Sequence, residues 1–202
     1  MRSKTWIKEH LDDPFVKRAN REGWRSRAVF KLQEIDEKYD LIRPGMVIVD
    51  LGAAPGGWSQ FAAKKVGHQG KIIAIDLLEM DAIHNVSFIQ GDFTDTQIYE
   101  SLVEIVGLNK VDLVLCDMAP NITGMNSVDQ PRAMYLAELA ADLSREILIV
   151  EGGLLVKLFH GSGFDDYVKM LRNYFNKVLI RKPEASRSRS REVYALATQF
   201  KL

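Results

Sequence analysis

A glycine-rich turn, DLGAAPGGW at residues 50–58, follows the first strongly apolar run of this 202-residue sequence. Glycines at a strand-to-helix turn let the backbone approach a ligand, and the following helix supplies free N–H donors. The turn matches neither the G-x-x-x-x-G-K-[ST] pattern of a phosphate-binding loop nor the G-x-G-x-x-G pattern of dinucleotide folds. A nucleoside that carries an amino acid and no pyrophosphate, such as S-adenosylmethionine, therefore fits best. The turn positions expected to hold this cofactor are Gly52, Pro55, Gly56 and Gly57.

Acidic residues at the ends of later apolar runs support this interpretation. Asp76 closes the second run, where a carboxylate can accept hydrogen bonds from ribose hydroxyls. Asp92 follows the third run and can accept the exocyclic amine of adenine, with Phe93 as an apolar contact. A single acid at a strand end is more often a helix N-cap. Together with the glycine turn and Asp117 after the fourth run, these acids predict a cofactor site.

A lysine interrupts the fifth apolar run, GLLVKLF at residues 153–159. Burial disfavours the charge of a lysine, so Lys157 is costly in a strand unless it is paired or reaches solvent at the strand end. Enzymes that methylate adenine amines carry an N/D-P-P-Y/F signature at the place of the motif DMAPN (117–121), and its aromatic residue stacks on the target base. Met118 and Ala119 replace this signature here, which argues against adenine as the acceptor. Glu192, taken alone, is typical of a surface residue.

These side chains need a sheet to bring them together. Short runs rich in Val, Ile and Leu alternate with segments of helical spacing, and each run has the length of a buried strand. The runs are 46–51, 71–76, 86–90, 112–117, 153–159 and 177–182. The alternation predicts an α/β, Rossmann-like fold with a mostly parallel sheet and helices on both faces. A seventh run, 191–198, follows too short a loop for a crossover helix and is predicted to return antiparallel.

The first 43 residues have a different pattern. Residues 4–20 and 26–39 have helical spacing, and Lys31 lies on another side of the second helix from its apolar positions. Arg-Pro-Gly at 43–45 ends this part. We interpret residues 1–43 as a basic helical extension packed on a Rossmann-like core, 44–202, within a single domain spanning 1–202.

Composition restricts the class of protein and its compartment. Hydrophobic residues make up 47% and charged residues 27% of the chain, as in globular proteins. One cysteine, no zinc-ligand spacing and no apolar membrane span or signal peptide predict a cytoplasmic protein without metal or membrane association. No apolar stripe exceeds what the core needs, so a monomer is expected.

The zero net charge conceals two basic ends. Residues 1–43 carry eleven Lys/Arg against eight Asp/Glu, and residues 181–202 carry six against two. The centre, 44–180, carries ten against seventeen. Basic ends could hold a phosphate-rich partner such as RNA, although solubility explains the charge equally well.

Several motifs together resemble one family. They are SRAVFKL (26–32), DLGAAPGGWSQ (50–60), DMAPN (117–121), VDQPRAMYL (128–136), the Lys157 strand and SRSREVY (188–194). From about residue 5 to the C-terminus the chain is similar to the FtsJ/RrmJ family of bacterial ribosomal RNA large-subunit 2′-O-methyltransferases. The resemblance implies a uridine ribose in the A-loop of 23S ribosomal RNA as the acceptor, within assembled or nearly assembled large subunits. It also implies S-adenosyl-L-methionine as methyl donor, with S-adenosyl-L-homocysteine as product.

The resemblance assigns site residues as well. It places a catalytic Lys-Asp-Lys-Glu tetrad on Lys31, Asp117, Lys157 and Glu192. It places cofactor contacts on Gly56, Trp58, Asp76, Asp92 and Asp117.

Lys157 is the expected proton acceptor for the ribose hydroxyl. A lysine is ordinarily protonated at pH 7, so two versions stay open. Either Lys157 is neutral and acts as the base, or it is charged and orients the oxygen lone pair while the proton leaves late.

Arginines lie close in sequence to Lys31 and to Glu192 and are expected to line one RNA groove: Arg18, Arg21, Arg25, Arg27, Arg187, Arg189 and Arg191.

Two alternative functions stay open. One is methylation of transfer RNA or of an RNA cap, and the other is a role as an RNA-binding ribosome-assembly factor.

Overall fold

The computed structural model of the chain describes residues 12–107 and 110–201. A seven-stranded sheet crosses it in the order β3-β2-β1-β4-β5-β7-β6. The strands are β1 (Val47–Leu51), β2 (Lys71–Asp76), β3 (Val86–Gln90), β4 (Val111–Cys116), β5 (Leu148–Phe159), β6 (Phe175–Arg181) and β7 (Glu192–Phe200). The first five strands are parallel, and β7 is antiparallel to both of its neighbours. The predicted fold class and the antiparallel last strand are therefore confirmed.

Helices cover both faces of the sheet. They are α1 (Pro14–Glu22), α2 (Val29–Tyr39), α3 (Gly57–Val66), α4 (Thr96–Val106), α5 (Asn126–Ile147) and α6 (Phe164–Tyr174). Strand residues alternate between two cores: Val49 packs with α4, α5 and α6, whereas Ile48 packs with α2 and α3. Because helices cover both faces of the sheet, successive residues of the central strands are apolar. These strands could therefore be predicted from continuous apolar runs. None of the helices in the described ranges is long and apolar enough to span a membrane.

The N-terminal helices differ in their limits from the prediction. The segment 4–20 lies partly outside the described residues, and within them α1 extends to Glu22, where Gly23 ends it in the left-handed conformation at φ 73°. Asp13 caps its start by accepting the backbone N–H of Phe15. The second helix begins at Val29 rather than at residue 26. Val29 and Phe30 of α2 pack with Ala19 of α1, so the two helices share a small apolar cluster.

The last strand inserts between β5 and β6, so it does not lie only beside the strand that precedes it in sequence. It pairs with β6 on one side and with β5 on the other. In the β5–β7 register, Lys157 is opposite Tyr194 and Phe159 is opposite Glu192. This register brings the carboxyl end of β5 and the first residues of β7 to one edge of the sheet, where β1, β2 and β4 also end.

Candidate active site

Four elements deliver the four residues of the expected tetrad to this edge. Asp117 directly follows β4, Lys157 lies near the end of β5, Glu192 begins β7, and Lys31 projects from α2. The strands end together because β4 and β5 are parallel neighbours, with Cys116 paired to Val156. The structure therefore brings together residues that are up to 161 positions apart in the sequence.

Two ion pairs join these side chains. Lys157 Nζ lies 3.1 Å from Asp117 Oδ1 and also donates to the backbone carbonyl of Asp117. Lys31 Nζ lies 2.7 Å from Glu192 Oε1. The Lys157 side chain is only 7% exposed, so its pairing with Asp117 offsets the cost of burying it. Glu192 is half-buried and paired, not the surface residue that its sequence context suggested.

Tyr194 links the two ion pairs and is the site residue that sequence reasoning missed. Its hydroxyl donates to Asp117 Oδ1 at 2.6 Å and accepts from Lys31 Nζ at 3.2 Å. The ring is fully buried and packs against Trp58, with 5.7 Å between ring centroids. A sequence signal did exist, because residues two apart in a strand share a face, and Tyr194 is two residues after Glu192.

The electrostatics of the cluster favour an ionised Asp117 and a neutral Tyr194. Burial acts to raise the pKa of Asp117, but the charges of Lys157 and Lys31 and the hydrogen bond from Tyr194 outweigh it, so this pKa lies below its ordinary value. Burial, with Asp117 and Glu192 nearby, raises the pKa of Tyr194 well above its ordinary value. The tyrosine therefore keeps its proton and acts as a donor.

The glycine turn lies beside this cluster and leaves no room for side chains. Gly52 has φ 76°, and a Cβ atom there would lie 2.6 Å from Met118 Cγ. Gly56 has φ 105°, and its Cβ would lie 2.7 Å from Ile83 Cδ1. Pro55 follows a cis peptide bond, and Gly57 begins α3, whose first N–H groups have no intrahelical acceptor.

The expected cofactor acids lie at the same edge of the sheet. Asp76 accepts the backbone N–H of Ala54 at 2.9 Å through Oδ2 and that of Leu78 at 2.8 Å through Oδ1, so it ties the glycine turn to the loop after β2. Asp92 lies two residues beyond Gln90, the β3 partner of Asp76, and its Oδ1 accepts from Thr94.

Two aromatic residues of the expected cofactor site have buried side chains. Trp58 is 3% exposed and its Nε1 donates to the carbonyl of Ala28, so only its backbone remains available to a cofactor. Phe93 packs in the main core rather than presenting its ring to a ligand. Apolar surface is instead supplied by Leu77 and Leu78, which directly follow Asp76 and are 64% and 68% exposed.

The fully buried carboxyl group of Asp50 lies at the start of the glycine turn and stabilises it. Asp50 accepts a hydrogen bond from Ser59 Oγ at 2.6 Å, which fastens the end of β1 to the first turns of α3. Its Oδ1 has no hydrogen-bond donor among the described residues. Burial raises the pKa of Asp50 from 3.8 to about 7, and the Asp117 and Asp76 carboxylates act in the same direction, against the bond from Ser59.

Two of the arginines expected to line an RNA groove, Arg25 and Arg27, make contacts within the protein. The Arg25 guanidinium donates to the carbonyls of Asp81 at 2.6 Å and Ala82 at 2.8 Å, and more weakly to Pro55 at 3.4 Å. Arg27 pairs with Asp13 and donates to the carbonyl of Ala185. Arg25 therefore joins the glycine turn to the loop at 77–85. The Arg25 side chain is long enough to reach this loop from the segment that precedes α2.

Two cavities open beside the tetrad, on the side where the N-terminal helices pack. One, of about 280 Å³, is lined by Lys31 and Glu192 together with Arg27 and Arg187. Arg27 and Arg187 also line the second cavity, of about 690 Å³, which extends along α1 and the basic segment before β7. Cys116, at the end of β4, is buried, and burial raises the pKa of its thiol to about 12. Within the described residues, no group of three or more His, Cys, Asp or Glu side chains could hold a metal ion.

Comparisons with known proteins indicate which proteins this chain is similar to. Residues 24–200 match the sequence model of a family described as FtsJ-like methyltransferase. The chain is 54% identical over 200 residues to Ribosomal RNA large subunit methyltransferase E of Legionella pneumophila (strain Corby), covering 99% of this chain and 97% of the relative. It is 56% identical over 203 residues to the protein of the same name from Pseudomonas paraeruginosa (strain DSM 24068 / PA7), covering 99% and 98%. A solved structure described as a ribosomal RNA methyltransferase from Plasmodium falciparum superimposes with a TM-score of 0.79 at 30% identity, covering 88% of this chain and 98% of that one.

Proposed function

The chain belongs to the FtsJ-like methyltransferase family and is a methyltransferase, and from this premise we propose that it methylates a ribose 2′-hydroxyl in large-subunit ribosomal RNA with S-adenosylmethionine as donor. The observation that carries the proposal is the convergence of Lys31, Asp117, Lys157 and Glu192 on one edge of the sheet, beside the glycine turn. The relatives from Legionella and Pseudomonas, which cover nearly the whole chain, support large-subunit ribosomal RNA as the substrate. We further propose a uridine of the A-loop in 23S ribosomal RNA as the acceptor.

The residues at the turn fit a nucleoside that carries an amino acid. Gly52 and Gly56 give the turn its left-handed backbone conformation and its close packing on Met118 and Ile83. Asp76 and Asp92 offer carboxylates for hydroxyl and amine donors, and the exposed Leu77 and Leu78 offer apolar surface to a flat base. When bound, S-adenosylmethionine supplies a methyl group on a sulfonium, which an oxygen nucleophile can attack in line. The role of the protein is to place the ribose oxygen and to manage one proton.

Lys157 is suited to manage that proton. Its Nζ contacts both the carboxylate and the backbone carbonyl of Asp117. A neutral amine has two N–H groups and one lone pair, so these two contacts would use both donors and leave the lone pair for the ribose hydroxyl. A charged ammonium would instead present its third N–H to the oxygen and orient it. We propose that Lys157 accepts the proton, while Asp117 and Tyr194 fix its position.

A substitution with a matched control tests the function. We expect Lys157→Ala to lose at least about a thousandfold in kcat while its affinity for S-adenosylhomocysteine changes little, because a group that handles the proton acts in the transition state. Lys177→Ala, on the exposed part of β6, is the control and should retain activity. The assay is methyl incorporation into large subunits from cells that lack the enzyme, followed by mapping of the modified ribose. Wild-type turnover by Lys157→Ala, or methylation of transfer RNA in place of large subunits, would contradict the proposal.

A further inference from the structure

The segment between β6 and β7, residues 182–191, has a buried inner side and an exposed outer side. Ala185 and Ser186 are only 1% and 6% exposed, whereas Ser188 and Arg189 are exposed. Arg187 lines both cavities beside the tetrad. The outer side is therefore accessible to RNA, whereas the inner side can act only through other groups of the protein.

The inner side of this segment is held by the N-terminal helices. Ala185 packs in the apolar cluster that α1 and α2 share. Its backbone carbonyl accepts a hydrogen bond from Arg27, and the backbone N–H of Glu184 donates to Glu34 Oε2 at 2.7 Å. Arg27 lies just before α2, and Glu34 belongs to it. Ser186 therefore follows directly after a stretch of backbone that α2 holds in place.

From this position the Ser186 side chain bonds Glu192. Its Oγ lies 2.9 Å from Glu192 Oε1, and the hydroxyl is the donor because a carboxylate only accepts. The same carboxylate oxygen lies 2.7 Å from Lys31 Nζ. Glu192 Oε1 thus receives donors from two different elements, α2 and the segment before β7. The Glu192 side chain is only 12% exposed, so water is a poor substitute for a donor that is removed.

The serine restricts the carboxylate in a way that the lysine alone does not. A lysine ammonium is a compact charge on a flexible stem, so an ion pair with it leaves the Glu192 side chain considerable freedom. A short side chain on anchored backbone adds a directional bond and removes part of that freedom. Lys31 Nζ also donates to the Tyr194 hydroxyl at 3.2 Å, so the orientation of Glu192 affects an ammonium that contacts the rest of the cluster.

We propose that Ser186 is a positioning residue of the active site, which holds the Glu192 carboxylate in the orientation that pairs with Lys31. It acts through Glu192 and not on the reacting atoms. This inference rests on the proposed function, because it requires the tetrad to act in methyl transfer. It gives the segment before β7 two roles, since Arg187 on its outer side can bind phosphate while Ser186 on its inner side organises the tetrad.

A double-mutant cycle tests this role. We expect Ser186→Ala to lower kcat about tenfold and to change the KM for RNA less than about twofold, because one hydrogen bond to a carboxylate is lost while the outer arginines remain. In the Glu192→Ala background the same substitution should change kcat less than about twofold, because the group through which Ser186 acts is already absent. The assay is methylation of large subunits from cells that lack the enzyme, and urea unfolding checks that each variant is folded.

Ser144→Ala is the matched control. Ser144 is also a buried serine, and its Oγ donates to the carbonyl of Ala140 at 2.6 Å within α5. Its substitution removes one buried hydroxyl outside the site and should leave kcat at the wild-type value. A loss in Ser144→Ala as large as that in Ser186→Ala would show that the hydroxyl of Ser186 serves the fold alone.

Three further results would overturn the proposal. The first is wild-type kcat in Ser186→Ala. The second is a higher KM for RNA in place of a lower kcat, which would assign Ser186 to the shape of the RNA-binding segment. The third is an undiminished tenfold loss in the Glu192→Ala background, which would show that Ser186 acts through another group. A wild-type enzyme that methylates no ribosomal RNA would instead reject the proposed function.

Discussion

Tyr194 determines how the two lysines of the cluster are connected. Its hydroxyl receives a hydrogen bond from Lys31 and passes one to Asp117, which in turn holds Lys157. The helix α2 and the strand β5 are thus joined through one oxygen. Without it, the two ion pairs would be independent, and Asp117 would lose the neutral donor that stabilises its charge.

We expect Tyr194→Phe to reduce kcat by about 10- to 100-fold with a smaller change in the KM for RNA, since a hydrogen bond to a charged group is lost but no substrate contact is. The matched control is Tyr167→Phe, which removes another buried hydroxyl, bonded to the carbonyl of Ala137 at 2.7 Å outside the site. Steady-state kinetics on large subunits provide the measurement. Equal effects of the two substitutions would assign Tyr194 a purely structural role.

Asp50 makes the stability of the fold depend on pH. Its pKa is raised from 3.8 to about 7, so its folded form holds a proton more tightly than its unfolded form. The associated stability is fully present below about pH 4 and is lost as the pH rises through about 7. Asp50→Asn lacks this titration.

Wild type should therefore lose stability relative to Asp50→Asn between about pH 4 and pH 7, by up to about 1.4 kcal/mol for each pH unit. Urea unfolding at pH 5, 6, 7 and 8 measures the difference in the free energy of unfolding. Asp142→Asn, at an exposed position of α5, is the control and should follow wild type. Parallel curves for wild type and Asp50→Asn would show that Asp50 is charged throughout.

Arg25 connects the loop at 77–85 to the glycine turn. It bonds the carbonyls of Asp81 and Ala82 from the segment that leads into α2, the helix that carries Lys31. The same loop packs on Gly56 through Met80 and Ile83. Arg25 therefore links the loop beside the glycine turn to the segment that leads into the helix of Lys31.

Arg25→Ala should weaken binding of S-adenosylhomocysteine by about tenfold and leave RNA affinity nearly unchanged, because the loop loses its anchor while no phosphate contact is removed. Isothermal titration with each ligand measures both affinities. Arg21→Ala, whose side chain is 77% exposed, should show the opposite pattern. If Arg25→Ala weakens RNA binding alone, the guanidinium belongs to the RNA groove after all.

For the whole molecule, the distribution of charge predicts a strong effect of salt. The net charge is zero, yet the basic segment before β7 and the start of α2 line adjoining cavities at the site. Neutralised phosphates release counterions, so the logarithm of the RNA dissociation constant should rise linearly with that of the salt concentration. Arg187→Ala should lower this slope by about one, whereas Arg43→Ala, before β1 at the opposite edge of the sheet, should leave it unchanged. Binding that does not depend on salt would exclude an electrostatic groove.

Local patterns were enough to predict the strands and the glycine turn. The apolar runs predicted seven strands to within a few residues, except that β5 begins at Leu148 instead of Gly153. The glycine turn was recognised because it interrupts the apolar pattern with several glycines, and Lys157 because it is a charged residue within an apolar run. The end of α1 and the start of α2 were predicted less accurately, because helix limits depend on the local conformation of capping residues such as Gly23.

The elements, the acids at the strand ends and the buried lysine can be found from local patterns, because they depend on short-range periodicity and on the cost of burying charge. The tertiary structure was needed to show that β7 inserts between β5 and β6, which places Tyr194 opposite Lys157. It also decided that Arg25 holds a loop and that Gln130 is buried with an unpaired oxygen. Strand partners and the contacts of long side chains depend on groups far away in the chain, and no local pattern encodes them.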